Sequence, residues 1–308
     1  MRLTRTNWIL IGLLVAMAAL DLGLRDKGGE ARTIGRLAVD FYRDRAARAL
    51  LVRGEERMEL QRGGDGAWVL TERHGYPASK RTMDELLTAL TSLTTLDLVS
   101  LDATTHQEYG LAQDALAIEV WDEEGQRVLG LLQGAEVSGG GASYVRLMGD
   151  DAVYRAARLR PIRLDPRFWL DVQWLTYPEA LVSRIELSGT ALSVSRTFVR
   201  DENTVDTWRV EGGERIGIAP IKNHLRALRS LFVESVRGRV DVGASVAAPL
   251  LSAELDLIDG RHFSASIMTD PSGADGVLGR RGSDDPFIVE FGLSSWQAVL
   301  ASAERLLE

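Results

Sequence analysis

The heptapeptide LTALTSL at residues 87–93 returns as LRALRSL at 225–231, with five of seven letters kept and an offset of 138 positions. Neighbouring features repeat with it. Trp68 and Trp208 stand 140 positions apart, each just before a leucine-rich stretch, and ELDLIDG at 254–260 resembles IEVWDEEG at 118–125. A period near 138 is several times longer than a solenoid unit, so the chain reads as one domain design used twice rather than as an array. The 308-residue length allows about two domains of ordinary size.

Each half alternates in the same order. Residues 57–70, RMELQRGGDGAWVL, read as a hairpin turning at Gly63 to Gly66. Met83, Leu86, Leu87, Leu90 and Leu93 fall at helical spacing, which predicts a helix over 83–99. A second hairpin follows over 117–134, turning at Glu123 to Gln126, and two short strands at 144–147 and 153–156 flank a turn at Gly149, Asp150 and Asp151. After Pro161 and Pro166, residues 168–175 read as a short helical or turn segment. The second half then gives alternation over 183–198, a strand at 207–210 and a helix over 220–236 that opens on Pro220. The expected class is α+β: an amino-terminal transmembrane helix, then two tandem duplicated domains of antiparallel strands with a packed helix, over 51–160 and 161–308.

The amino terminus sets its own expectation. Residues 8–20 are an unbroken apolar run, and positions 7–24 as a helix would measure about 27 Å, close to the hydrocarbon thickness. Trp8, Ile9, Leu10, Ile11, Leu13, Leu14, Val15 and Leu20 are the anchoring side chains on this reading, with Trp8 at an interface. A membrane anchor over 1–27 competes with a cleaved signal peptide and a buried helix. Ile34, Leu37, Ala38 and Phe41 then suggest an amphipathic connecting helix over 28–50. The expected setting is the bacterial inner membrane, crossed once, with the domains in the periplasm.

Composition narrows the chemistry. Thirty-six basic against forty-four acidic residues give a net charge of -8, which disfavours a broad nucleic-acid-binding face. With no cysteine there is no disulfide, thiol nucleophile or thiolate metal site. His74, His106, His224 and His262 stand singly and give no ligand spacing. No phosphate-binding loop, nucleophile elbow or calcium-loop pattern occurs. Gly139 to Gly141 and the glycines near 272–276 read as turns, and Asp122, Glu123 and Glu124 read as a solvated hairpin tip. No catalytic residue, cofactor or metal is expected.

The strand with Trp68, the leucine helix, Glu108-Tyr109-Gly110-Leu111, the Tyr144 to Leu147 strand and Val153-Tyr154 together resemble the DUF4340 family. The likeness spans roughly residues 50–300 and rests on the order of short motifs. It implies a noncatalytic envelope protein similar to accessory components of gliding-motility-type ABC transporters, with a permease and its associated subunits as partners. The second half departs from the pattern, with residues 237–249 where a second Tyr-Gly-Leu would fall.

One helix carries a candidate binding face. Lys222, Arg226 and Arg229 make the second helix basic, with Arg237 and Arg239 just beyond, whereas the first helix bears Asp84, Glu85 and threonines. Such a reversal suits an acidic partner or lipid headgroups. Trp169 and Trp174 are candidate junction or interface anchors. The favoured reading is an accessory or scaffold subunit that binds envelope partners. The alternatives are a module for lipid, glycan or peptide, with an apolar pocket between the halves, and an envelope hydrolase.

Overall fold

The computed structural model describes residues 41–157, 159–201, 207–241, 248–270 and 276–308. The first half contributes β1 (Arg48–Arg53), β2 (Glu56–Arg62), β3 (Trp68–Leu70), β4 (Tyr76–Pro77), α1 (Lys80–Thr91), β5 (Thr94–Ser100), β6 (Leu116–Trp121), β7 (Arg127–Glu136), β8 (Ala142–Leu147) and β9 (Val153–Ala157). A one-turn helix, α2 (Pro166–Trp169), leads to the second half. There β10 (Val182–Ser188), β11 (Arg196–Arg200), β12 (Thr207–Val210) and β13 (Arg215–Gly217) precede α3 (Ile218–Arg229). Then come β14 (Val233–Arg239), β15 (Leu251–Leu257), β16 (His262–Thr269), β17 (Val277–Arg281), β18 (Phe287–Phe291) and α4 (Leu293–Leu307).

The strands form two nine-stranded sheets, β4-β3-β2-β1-β6-β7-β8-β9-β5 and β13-β12-β11-β10-β15-β16-β17-β18-β14, with the same order in both. The repeat extends to irregularities. In β5 the register against β9 slips between Thr95 and Asp97 and again between Leu98 and Ser100. In β14 it slips against β18 between Val233 and Ser235 and between Val236 and Gly238, each 138 positions on. A bulge bends an edge strand away from further pairing, so both copies blunt the same edge by the same device.

These findings correct the expected α+β class: among the described residues the protein is mostly antiparallel sheet, in two nine-stranded sheets with four helices. The anchor placed on positions 7–24, from Trp8 to Leu20, lies outside the described residues, and among those described no helix is long and apolar enough to cross a membrane. The connecting helix over 28–50 is also corrected in its described part, where a single turn at Arg43–Arg45 runs into β1.

Both leucine helices end earlier than their periodicity suggests. In the first copy Ser92 N–H reaches Thr88 O at 2.9 Å and Leu93 N–H reaches Leu90 O at 3.4 Å; in the second Ser230 N–H reaches Arg226 O at 2.9 Å and Leu231 N–H reaches Leu228 O at 3.3 Å. Each serine hydroxyl also donates back into its helix, Ser92 to Thr88 O and Ser230 to Ala227 O. The chain then enters β5 or β14, where Thr94, Thr95, Val99, Val233 and Val236 favour extended backbone. Leucine spacing continued across a serine turn that it does not reveal.

Among the described residues, one compact unit takes in 41–44, 88–119 and 128–162, and the other 45–87, 120–127 and 163–308. In the first, β7 alternates buried and half-buried positions through its middle, and Leu131 on β7 and Val145 on β8 are fully covered. The Tyr-Gly-Leu motif packs here. Gly110 adopts a positive φ of 66°, a conformation that a side chain strains. Tyr109 O accepts Ala135 N–H at 2.9 Å, and the Tyr109 and Tyr144 rings lie 4.8 Å apart.

In the second unit β15 alternates strictly along its length, with Leu251, Ala253, Leu255 and Leu257 inward. α3 buries Ile221, His224, Leu225 and Leu228, and α4 buries Trp296, Val299, Ala303, Leu306 and Leu307. The expected hairpin turns and the strands at 144–147, 153–156 and 207–210 all form where they are expected.

Candidate functional site

α3 stands over a narrow slot of about 300 Å³ within the second unit. Its floor and walls are Trp208 from β12 with Ile218, Ile221 and Leu225 from the helix, and its rim carries Lys222, Arg200, Glu179 and Ala180. The wall is held in place by Tyr177, whose buried hydroxyl donates to Leu225 O at 2.8 Å. Burial raises the Tyr177 pKa, with the nearby Glu179 charge adding to it, so the phenol stays a donor at neutral pH. Across the rim Arg200 donates to Ala180 O at 2.6 Å, and Glu179 is engaged by Arg229 at 2.7 Å.

The charged positions singled out in the sequence fall in three settings. Lys222 and Arg226 are exposed, and neither side chain makes a hydrogen bond or ion pair among the described residues. Arg229 is exposed but tied to Glu179. Arg237 pairs with Glu290 at 2.8 Å, while Arg239 lies over the Phe287 ring at 5.2 Å. The helix thus brings Lys222, Arg226 and Arg229 together, whereas Arg237 and Arg239 are engaged along β14.

Trp169 and Trp174 are core residues, 1% and 2% exposed, and neither offers a free surface. The Trp169 indole donates to Arg163 O at 2.7 Å, and its carbonyl accepts Ser79 N–H ahead of α1. Trp174 packs edge-on to Phe291 with ring centroids 4.6 Å apart.

A second, wider cleft of about 740 Å³ also lies within this unit, lined among others by Asp171, Glu254, His262, Arg281, Asp284 and Asp285. Its lining is largely polar. Burial opposes the charge of Arg281, but the hydrogen bond and charge of Asp285 outweigh it and raise the guanidinium pKa; Nε lies 2.6 Å from Asp285 Oδ2. Beside it the buried Arg280 donates to Asp285 O and Ser283 O, pinning the 282–286 loop. Among the described residues no group of three histidine or acidic side chains is arranged to hold a metal.

His224 is fully buried where the first copy has Leu86, on the inward stripe of α3. Ser302 donates its hydroxyl proton to Val299 O at 2.7 Å, so it accepts from His224 Nδ1 at 2.9 Å, and Nε2 has no hydrogen-bond partner. Burial lowers the imidazole pKa from 6.5 to about 4. The folded state therefore binds this proton less readily than the unfolded chain. Stability from this group is full above about pH 6.5 and falls between there and pH 4, by about 3 kcal/mol in total. Urea unfolding of wild type and His224→Leu at pH 7 and pH 4.5 should show the smaller acid loss in the variant; equal losses would remove His224 as a cause.

Asp122 is a further correction. It is not part of a solvated tip: it is 5% exposed, takes Arg45 at 2.8 Å on one oxygen and accepts Gln126 N–H on the other.

Fold and site together define a protein of two repeated antiparallel sheets in which, among the described residues, α3 presents the unengaged cations Lys222 and Arg226, with Lys222 on an apolar slot. The chain belongs to the DUF4340 family, a domain of unknown function, whose model matches residues 68–250, more than half of its length. No curated protein and no solved structure matches it.

Proposed function

We propose that the chain is a noncatalytic binding subunit of the cell envelope that receives an acidic surface of a partner protein on the basic face of α3. The observation that carries this reading is the difference between the two copies. In α1 the cations are answered on the helix itself, Lys80 by Asp84 at 2.8 Å and Arg81 by Glu85 at 2.7 Å. In α3 the position matching Asp84 is Lys222, and the one matching Thr88 is Arg226, with neither engaged among the described residues. In a chain of net charge -8, such a face favours opposite charge and suppresses wrong partners. The likeness to transporter-associated envelope proteins makes a permease and its ATPase the partners to look for.

The test is recovery of the tagged full-length protein from its native cells in gentle detergent, with mass spectrometry of what accompanies it. Wild type should bring down a permease and ATPase in stoichiometric amounts. Arg226→Glu should lower that recovery about tenfold, and Arg226→Glu/Arg229→Glu further, with unfolding temperatures held for the single variant. Wild-type protein recovered folded and alone would sink the proposal.

A further inference from the structure

The slot beside α3 differs between the copies in one more way. Ile218 and Lys222 match Lys80 and Asp84 of the first copy, which close on each other as an ion pair. In the second copy the pair is replaced by an apolar side chain and a cation with no partner among the described residues, and both line the slot. Trp208, Ile221 and Leu225 supply an apolar floor. The Glu179 carboxylate on the rim is taken by Arg229, which leaves the cation of Lys222 to face an incoming group.

We infer that this slot seats one apolar side chain of the acidic partner, a leucine or phenylalanine flanked by carboxylates, with Lys222 and Arg226 meeting the flanking charges. The inference rests on the binding role proposed above and adds the anchor to it. A volume of about 300 Å³ is at the lower end of small-ligand sites, which suits one side chain better than a whole cofactor. An apolar anchor in a preformed pocket ringed by polar contacts is the usual energetic centre of a protein interface. The hydrogen bonds from Tyr177 to Leu225 O and from Arg200 to Ala180 O hold opposite sides of the slot before anything binds.

The experiment uses the full chain and three fluorescein-labelled peptides, EELFEE, EEAAEE and KKLFKK, read by anisotropy at low salt. EELFEE should bind saturably, EEAAEE at least about tenfold more weakly, and KKLFKK not at all. Ala180→Phe, which turns a ring into the slot from its rim, should reduce EELFEE to the affinity of EEAAEE and leave EEAAEE unchanged. Lys222→Glu, an exposed change that spares the core, should weaken EELFEE strongly and keeps the test decisive if the phenylalanine variant does not fold. Arg226→Glu should weaken both acidic peptides. Equal, salt-sensitive binding of EELFEE and EEAAEE would overturn the anchor while leaving the electrostatic reading standing. Absence of binding by either acidic peptide would overturn both.

Discussion

Gly134→Ala is expected to lower the unfolding free energy of the protein by about 3 kcal/mol or more, measured by urea or thermal unfolding. A Cβ at this position would stand 2.2 Å from Tyr109 O and 2.9 Å from Leu111 Cγ. The first of these is a main-chain atom, and it already accepts the neighbouring Ala135 N–H at 2.9 Å. It cannot swing aside as a side-chain tip would, so the Tyr-Gly-Leu turn must lift off β7 as a whole. Leu111, 1% exposed, would be drawn out with it. Gly64→Ala is the comparison, because a Cβ there meets nothing within 4 Å; its change should stay within about 0.5 kcal/mol. Equal stability of the two variants would show that the turn yields without cost.

Trp174→Ala should cost about 3–5 kcal/mol, the range for removing a buried aromatic side chain. Its ring lies edge-on to Phe291 and also covers Gly279, where an added Cβ would fall 2.3 Å from the Phe291 ring and 3.0 Å from Trp174. The glycine is thus the recess into which two aromatics fit. Removing the indole leaves a cavity that the paired strands around it cannot close without losing hydrogen bonds. Because Trp174 is core, its loss should weaken partner binding only as far as it unfolds the chain. A binding defect in fully folded Trp174→Ala would return this residue to the interface.

The sequence carried the architecture further than it carried the site. The repeat was legible because both copies keep the leucine stripe and the tryptophan ahead of it. The hairpins were legible because glycines stand where φ is positive, at Gly66, Gly125 and Gly260. The strands β5 and β14 were hidden because leucines run on past the serine turn, and β1 because its first residues fall within 28–50, the stretch that helical spacing from Ile34 to Phe41 assigned to a helix. The basic face of α3 was visible as a charge contrast between aligned helices. Extending that alignment one residue outward sets His224 against Leu86, a signal for burial that charge-based reading passes over. The slot was not legible. Its lining comes from 179–180, 200, 208 and 218–225, brought together by sheet order rather than by spacing. Trp169 and Trp174 misled because aromatics suit interfaces and cores alike, and burial decides between them.

The shared strand order bears on how each half reaches its native state. In the second sheet β10 to β13 make a run of local antiparallel neighbours, and β15 to β18 make another. β14 is made between these two runs, directly after α3, yet the strand beside it in the sheet is β18, the last to be made. Its first residue is met by the earlier chain, Val233 N–H donating to Val172 O at 2.9 Å, but its ladder with β18 waits until some fifty later residues have been made and folded back. Its pairing closes a long loop, the slow kind of step in assembling a sheet.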